Sequence, residues 1–355
     1  MFLTFQRETG TLILSISIRK EANMKFADLH CDTLLSVLTQ NGVSPETLWH
    51  NGGHLDLSRL LRADAAIEFF AIFLPPRERL AAAGYSDEFT CVQDACQMLD
   101  QASALEPNRI GLALTSEDVR RNLHSGCASA IRTVEDGRLV DGSFRNLDRL
   151  FAMGIRLITL TWNYANCFGY PNSTSPAEMS RGLTDFGKEA VLRMNELGIL
   201  VDVSHLSDGG FWDVQKIAKK PFIASHSNAR ALCPHPRNLT DDMIRALGNA
   251  GGVIGLNFCP SFLETAPDGK SPRSTAAALL RHARPLANVG GIDCVAIGSD
   301  FDGISGELEI AGVQDMPILL EQLAAAGFTS GEIDKIALQN VTRVLDAALP
   351  QPSRV

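Results

Sequence analysis

No two cysteines of this chain stand in a Cys-x-x-Cys pair, and its eight cysteines are scattered singly through 355 residues. A chain of that length has enough interior to fold without covalent staples, so reduced thiols in a cytoplasmic protein are the expected state. Positive charge is also in short supply: 32 lysines and arginines face 41 acidic residues, a formal net charge of -9. The resulting field repels polyanions and argues against a general nucleic-acid partner. Long apolar runs are missing too. The apolar stretch Thr11 to Ile18 is too short to span a bilayer, is flanked by Arg7, Glu8, Arg19 and Lys20, and is not followed by a small-residue cleavage site. It is expected to be an extra strand, or part of an extension over residues 1–24 ahead of a start near Met24. Neither a Gly-x-Gly-x-x-Gly turn after the first strand nor a Walker-type loop is present, which removes the usual dinucleotide and nucleotide cradles.

What is present is an alternation. Apolar runs begin at Phe26, Ala65, Cys127, Arg156, Ile199, Pro221, Gly252 and Cys294, and each is followed by a stretch with helical periodicity. These runs alternate poorly between apolar and polar residues, as parallel strands covered by helices do. Eight such units predict a decorated (β/α)8 barrel, an α/β fold, forming a single catalytic domain over residues 25–350. A doubly wound open sheet is the competing architecture. Ile110 to Leu114 is read as a short accessory strand.

Six residues with metal-binding or proton-carrying chemistry lie at or just past the ends of these strands. They are His30 and Asp32 in FADLHCDT, Glu135 in TVEDG, His205 in DVSH, His226 in ASHSNAR and Asp300 in IGSDFDG. Because strand side chains alternate faces, His30 and Asp32 project together and Cys31 projects away. In a barrel the C-terminal strand ends converge on one mouth, so residues far apart in sequence can assemble one site. Three imidazoles and two carboxylates suffice for two divalent ions, with one carboxylate left for proton transfer. Nitrogen and oxygen donors without thiolate favour zinc, with manganese, cobalt and iron also compatible.

With these motifs the chain resembles the membrane dipeptidases, also called renal dipeptidases, and their soluble bacterial relatives, from about Met24 onward. The resemblance implies one metal held by His30, Asp32 and Glu135, and a second held by Glu135, His205 and His226. It implies attack on the peptide bond of a free dipeptide by a hydroxide shared between the metals, with Asp300 moving the proton and Glu135 bridging. Arg237, in CPHPRNL, resembles the arginine that holds the substrate's free carboxylate. A homodimer is likewise an expectation of the resemblance.

One position departs from the pattern: better-known animal members carry Leu-Thr-His after the fourth strand, whereas here Leu160-Thr161-Trp162 places a tryptophan. Trp162 offers no titrating group, but it can wall a substrate pocket. Asp302 competes with Asp300 for the acid/base role or supports it, and Asp202 is a candidate for holding a metal-bound imidazole from behind. His235 is read as an entrance or surface residue, and His50, His54, His124 and His282 receive no role. A metal amidohydrolase acting on N-acyl amino acids, and a catalytically silent barrel used for binding, are the alternative functions.

Overall fold

The computed structural model describes residues 24–38, 44–265 and 271–351. The apolar Thr11 to Ile18 stretch therefore lies outside the described residues. Among the described residues ten strands occur in chain order: β1 (Phe26–Cys31), β2 (Ala65–Phe73), β3 (Ile110–Leu112), β4 (Ala128–Glu135), β5 (Ile155–Thr159), β6 (Leu200–Asp202), β7 (Ile254–Leu256), β8 (Arg273–Ser274), β9 (Val295–Ile297) and β10 (Glu307–Leu308). Seven of them form a curled parallel sheet in the order β6-β5-β4-β2-β1-β9-β7, to which β3 adds beside β4. The remaining two, β8 and β10, pair with each other elsewhere.

Helices fill the crossovers, and the sequence sets their ends. Thr115 caps Ser116–Ser125 by accepting from the Asp118 backbone while the Asp118 carboxylate accepts from the Thr115 N–H, and Gly126 ends that helix in the left-handed region. Thr184, Ser207, Thr240 and Thr275 cap Asp185–Leu197, Asp208–Ile217, Asp241–Asn249 and Ala276–Gly290 in the same way, each hydroxyl accepting a first-turn N–H. Every residue of β1 and β4 is buried, which is why their sequences show no simple alternation.

The stretch from Pro221 to Ser225 was expected as a full strand, and the structure makes only single bridges there, Asp202 to Ile223 and Ala224 to Ile254. Backbone bonds nevertheless run to both neighbours: Ile223 N–H donates to Val201 O at 2.9 Å, and Ala224 N–H donates to Val253 O at 3.0 Å. The ladder is short for two reasons. Pro221 has no N–H, and the Ser225 N–H is taken by the Asp202 side chain at 2.9 Å instead of by a neighbouring carbonyl. Gly255 and Gly298 let this segment approach, because a Cβ at either would collide with the Ser225 carbonyl oxygen.

The C-terminal helix differs from a simple α-helix. Ser330–Asp334 passes through a π-helical stretch, Lys335–Gln339, before resuming as Asn340–Ala348. The Asn340 amide then donates to the carbonyls of Ile292 and Val295, both at 2.8 Å, tying the last helix to the start of β9. No helix among the described residues is long and apolar enough to cross a membrane.

Candidate metal centre

All six singled-out residues gather at the C-terminal ends of the sheet. His30 lies within β1 and Asp32 one residue beyond it, and the neighbouring β9 loop fixes both. Asp300 N–H donates to His30 O at 3.1 Å, and Asp32 N–H donates to Phe301 O at 2.8 Å. Glu135 is the last residue of β4, paired on either side with Phe73 and Thr159. His205 and Asp300 stand three residues past β6 and β9 in left-handed conformations, with φ of 66° and 64°. Non-glycine residues adopt that region at a cost, and such residues concentrate where the chain must aim a side chain.

The donor atoms converge closely. Glu135 Oε1 lies 3.1 Å from His205 Nε2 and 3.5 Å from His226 Nε2, while the two imidazole nitrogens are 3.1 Å apart. On the other side, His30 Nε2 lies 3.4 Å from Asp32 Oδ2, 3.8 Å from Glu135 Oε2 and 4.0 Å from Asp300 Oδ1. Two groups of three possible ligands result, His30-Glu135-His226 and His30-Asp32-Asp300, with the donor atoms of each within 4.8 Å of one another. They share His30.

Protonation makes the convergence informative. Burial holds His205 and His226 well below the usual histidine range, with the Arg237 and His30 charges adding to it. Both rings are therefore neutral and carry one N–H each. Ser225 Oγ donates to Asp202 Oδ2 at 2.6 Å and sits 2.7 Å from His226 Nδ1, so that nitrogen carries the ring proton. His205 Nδ1 lies 3.3 Å from Asn163 Oδ1, an oxygen that only accepts. Two Nε2 lone pairs and a carboxylate oxygen thus face one another at hydrogen-bond distance. Those atoms repel unless a proton on Glu135 or a metal cation lies among them.

Further buried atoms tell the same story: both ring nitrogens of His30 and Oδ1 of Asp32 make no hydrogen bond within the protein. Burial favours a neutral His30, yet the carboxylates of Asp32, Glu135 and Asp300 lift its pKa to about 10. Negative potential on that scale draws in positive charge. Burial also raises Glu135 well above the carboxylate range, with Asp32 adding to the effect and His30 opposing it. Space is reserved as well: a Cβ on Gly303 would collide with the carboxylate oxygens of Asp32 and Asp300. By donor chemistry, orphaned atoms and clearance, the site fits divalent metal.

The remaining candidates divide. Arg237 is buried beside the cluster, donating to His226 O at 3.1 Å and lying 5.3 Å from the Phe262 ring centre, with its Nε unpaired. Trp162 packs on Phe73 at 4.7 Å between ring centres and lies 6.4 Å from His205. Asp202 sits beneath the site, where its carboxylate accepts from Thr159, Ser204 and Ser225. Asp302 belongs to neither ligand group. Its two oxygens accept from Thr33 Oγ1 at 2.5 Å and from the His54 N–H at 2.6 Å, and its own N–H donates to His54 Nδ1 at 3.0 Å. His235 hydrogen-bonds the Arg237 N–H at 3.2 Å and packs on Phe262.

Four supporting residues escaped the sequence reading. Asn257 donates to Asp300 Oδ2 at 2.8 Å, Ser225 and Asn163 set the ring protons of the two histidines, and His54 clasps Asp302. Asn257 carried a usable signal, since it ends the GVIGLN run as the other polar residues end theirs. A cavity of about 840 Å³ opens above the cluster, lined by Asp32, Glu135, His205 and Asp300 and by Phe73 and Trp162.

A parallel α/β sheet with this ligand set at its C-terminal ends defines a class, the metal-dependent hydrolases. Within that class the chain belongs to the membrane dipeptidase family, peptidase family M19, whose sequence profile matches residues 19–351. Among curated relatives, a Klebsiella pneumoniae chain described as an uncharacterized protein in the pqqA 5' region is 38% identical over 252 residues, covering 70% of this chain and 92% of its own. A solved dipeptidase described as a metallo peptidase of family M19 is 30% identical with a TM-score of 0.82, covering 92% of this chain and 99% of its own. A metallo peptidase from Rhodobacter sphaeroides, solved with a phosphinate mimic of the dipeptide L-Ala-D-Ala, is 30% identical with a TM-score of 0.81, covering 92% of this chain and 100% of its own.

Proposed function

We propose that this chain is a binuclear metal-dependent dipeptidase that hydrolyses free dipeptides. The observation that carries the reading is the meeting of two imidazole lone pairs and the Glu135 carboxylate at 3.1 to 3.5 Å, beside a second ligand group built on His30. His30, Asp32 and Glu135 would hold one ion and Glu135, His205 and His226 the other, most simply zinc. Ions held there supply Lewis acidity, which lowers the pKa of water and polarises a scissile carbonyl.

The chain's own residues do the rest. Asp300 accepts the proton of the attacking water and returns it to the leaving amine. Burial suits it to both halves of that task by raising its carboxyl to about 6, against the opposing pull of His30, of the Asn257 hydrogen bond and of Arg237. Arg237 forks the substrate's terminal carboxylate, a role supported by its burial, its unpaired Nε and its place beside the cluster. A buried guanidinium close to the reacting carbonyl favours short substrates, because a longer chain would have no carboxylate within reach. Trp162 lines the cavity and excludes water.

The same reading extends to architecture. The 221–225 segment, hydrogen-bonded to both neighbours, is taken as the eighth stave that closes the sheet into a (β/α)8 barrel forming one catalytic domain over residues 25–350. Eight free thiols support a reducing, cytoplasmic setting. The test is a purified chain loaded with zinc and assayed on free dipeptides. Turnover should vanish with chelation and return with divalent metal, at close to two ions per chain. Less than one bound ion, or no turnover across a broad dipeptide panel, would overturn the reading.

A further inference from the structure

The cavity above the metal centre has two unlike sides. Phe262 follows β7, with the Arg237 guanidinium 5.3 Å from its ring centre, whereas Phe73 ends β2 and Trp162 follows β5, each three or more places from β7 in the sheet order. Around Phe73 and Trp162 the wall continues through Leu35, Leu80 and Tyr85, which come from the helices after β1 and β2 and their ends. Phe73 and Trp162 are only partly buried, and their rings pack at a tilt of 59° with 4.7 Å between centres. Among the described lining residues the carboxylates are Asp32, Glu135, Asp300 and Asp302. The first three belong to the ligand cluster, and Asp302 is occupied by Thr33 and His54. Among the described lining residues the apolar side carries no further acid, and the one charge at its rim is the exposed cation Arg79.

We propose that Phe73, Leu80, Tyr85 and Trp162 form the subsite for the side chain of the substrate's N-terminal residue, and that it selects large apolar side chains, leucine and phenylalanine above glycine, alanine, glutamate or lysine. The proposal rests on the dipeptidase reading. A dipeptide whose carboxylate is forked by Arg237 and whose carbonyl lies over the metals must direct its N-terminal residue to the far side of the mouth, onto this wall. Covering a partly exposed aromatic pair with an apolar side chain removes water from both surfaces, and each added methylene contributes to binding. A lysine side chain meets Arg79 and no carboxylate. A cavity of about 840 Å³ leaves room for the larger side chains.

Steady-state kinetics on the zinc-loaded full chain decide the matter, using X-Ala dipeptides with X as glycine, alanine, leucine, phenylalanine, glutamate and lysine. kcat/KM for leucine or phenylalanine should exceed that for glycine by tenfold or more, roughly the discrimination an apolar pocket provides. In Trp162→Ala the phenylalanine-to-glycine ratio should fall to within about threefold, and Tyr85→Ala, at a half-exposed position, should shift it in the same direction. Metal content and thermal unfolding report that both variants are folded, and the ratio is internal to each preparation. A flat series in the unmodified enzyme, a preference for glutamate or lysine, or a ratio left intact in both variants would overturn the subsite alone. No turnover of any X-Ala substrate at full metal loading would sink the dipeptidase reading and the subsite with it.

Discussion

Asp300 illustrates how much of this chemistry rests on single side chains and their surroundings. In the metal-free chain its carboxyl is raised to about 6, so that it accepts a proton above that pH and loses the ability below it, and bound cations move that point down. Asp300→Asn should lower kcat by a hundredfold or more while leaving the chain folded, and the acid limb of the kcat profile should disappear with it. Unchanged turnover in that variant would move the proton-carrying role elsewhere. A second buried acid, Asp28, works on stability. Burial raises its pKa to about 6 against the hydrogen bonds from Ser299 and His30, and its Oδ2 has no partner. Well below pH 3.8 it is protonated in folded and unfolded chains alike. As pH rises toward 6 the unfolded chain releases its proton first, so ionisation increasingly favours unfolding. In metal-free protein, Asp28→Asn should therefore match the parent at about pH 3 and be more stable by on the order of 3 kcal/mol at pH 7, measured by urea denaturation. The candidate ligands were legible because residue type and strand-end position coincide. Ser225 and Asn163 were not, since nothing in a sequence says which serine or asparagine will touch an imidazole nitrogen.

At the level of elements, short connections between strand ends carry the precision of the site. The hydroxyl of Ser225 links Asp202 to His226 and thereby points the Nε2 lone pair at the cluster. Ser225→Ala should weaken divalent-metal affinity by about 10- to 100-fold, read by competition with a chelator, because the ring loses the partner that fixes its tautomer. Gly303→Ala tests the β9 loop in the same way. Its added methyl must displace the Asp32 and Asp300 carboxylates, so it should cost metal occupancy at the His30 side while the helices remain folded by circular dichroism. Element existence was readable from the text of the chain. Helices follow the apolar runs as expected, among them Phe144–Ala152, Asp185–Leu197, Asp208–Ile217 and Asp241–Asn249. Where the reading fell short, a tertiary partner decided the outcome. The Asp202 carboxylate claims the Ser225 N–H, which shortens the 221–225 strand, and the last helix passes through a π turn on its way to Asn340.

Across the whole molecule, two ions bound to the folded chain but not to the unfolded one should add stability by mass action. At free metal a thousandfold above each dissociation constant the gain is about 4 kcal/mol per site, so a chelator should lower the thermal midpoint by several degrees and added zinc should restore it. A midpoint indifferent to metal would contradict the ligand arrangement. The overall architecture could be inferred because eight apolar runs alternate with helical ones. What composition does not show is how the 221–225 segment joins its neighbours, through a handful of backbone bonds around Ile223 and Ala224.

The seam between β1 and β9 has one further consequence. Ser299 donates to the His30 carbonyl across 269 residues of sequence, and Asp300 reaches its place through the same junction. A polypeptide emerging from the ribosome therefore exposes His30 early but cannot complete the centre until β9 has docked beside it. Until then the chain is a bystander to the peptides around it. Its hydrolytic competence arrives late, together with the contact that joins its first strand to its last long-range partner.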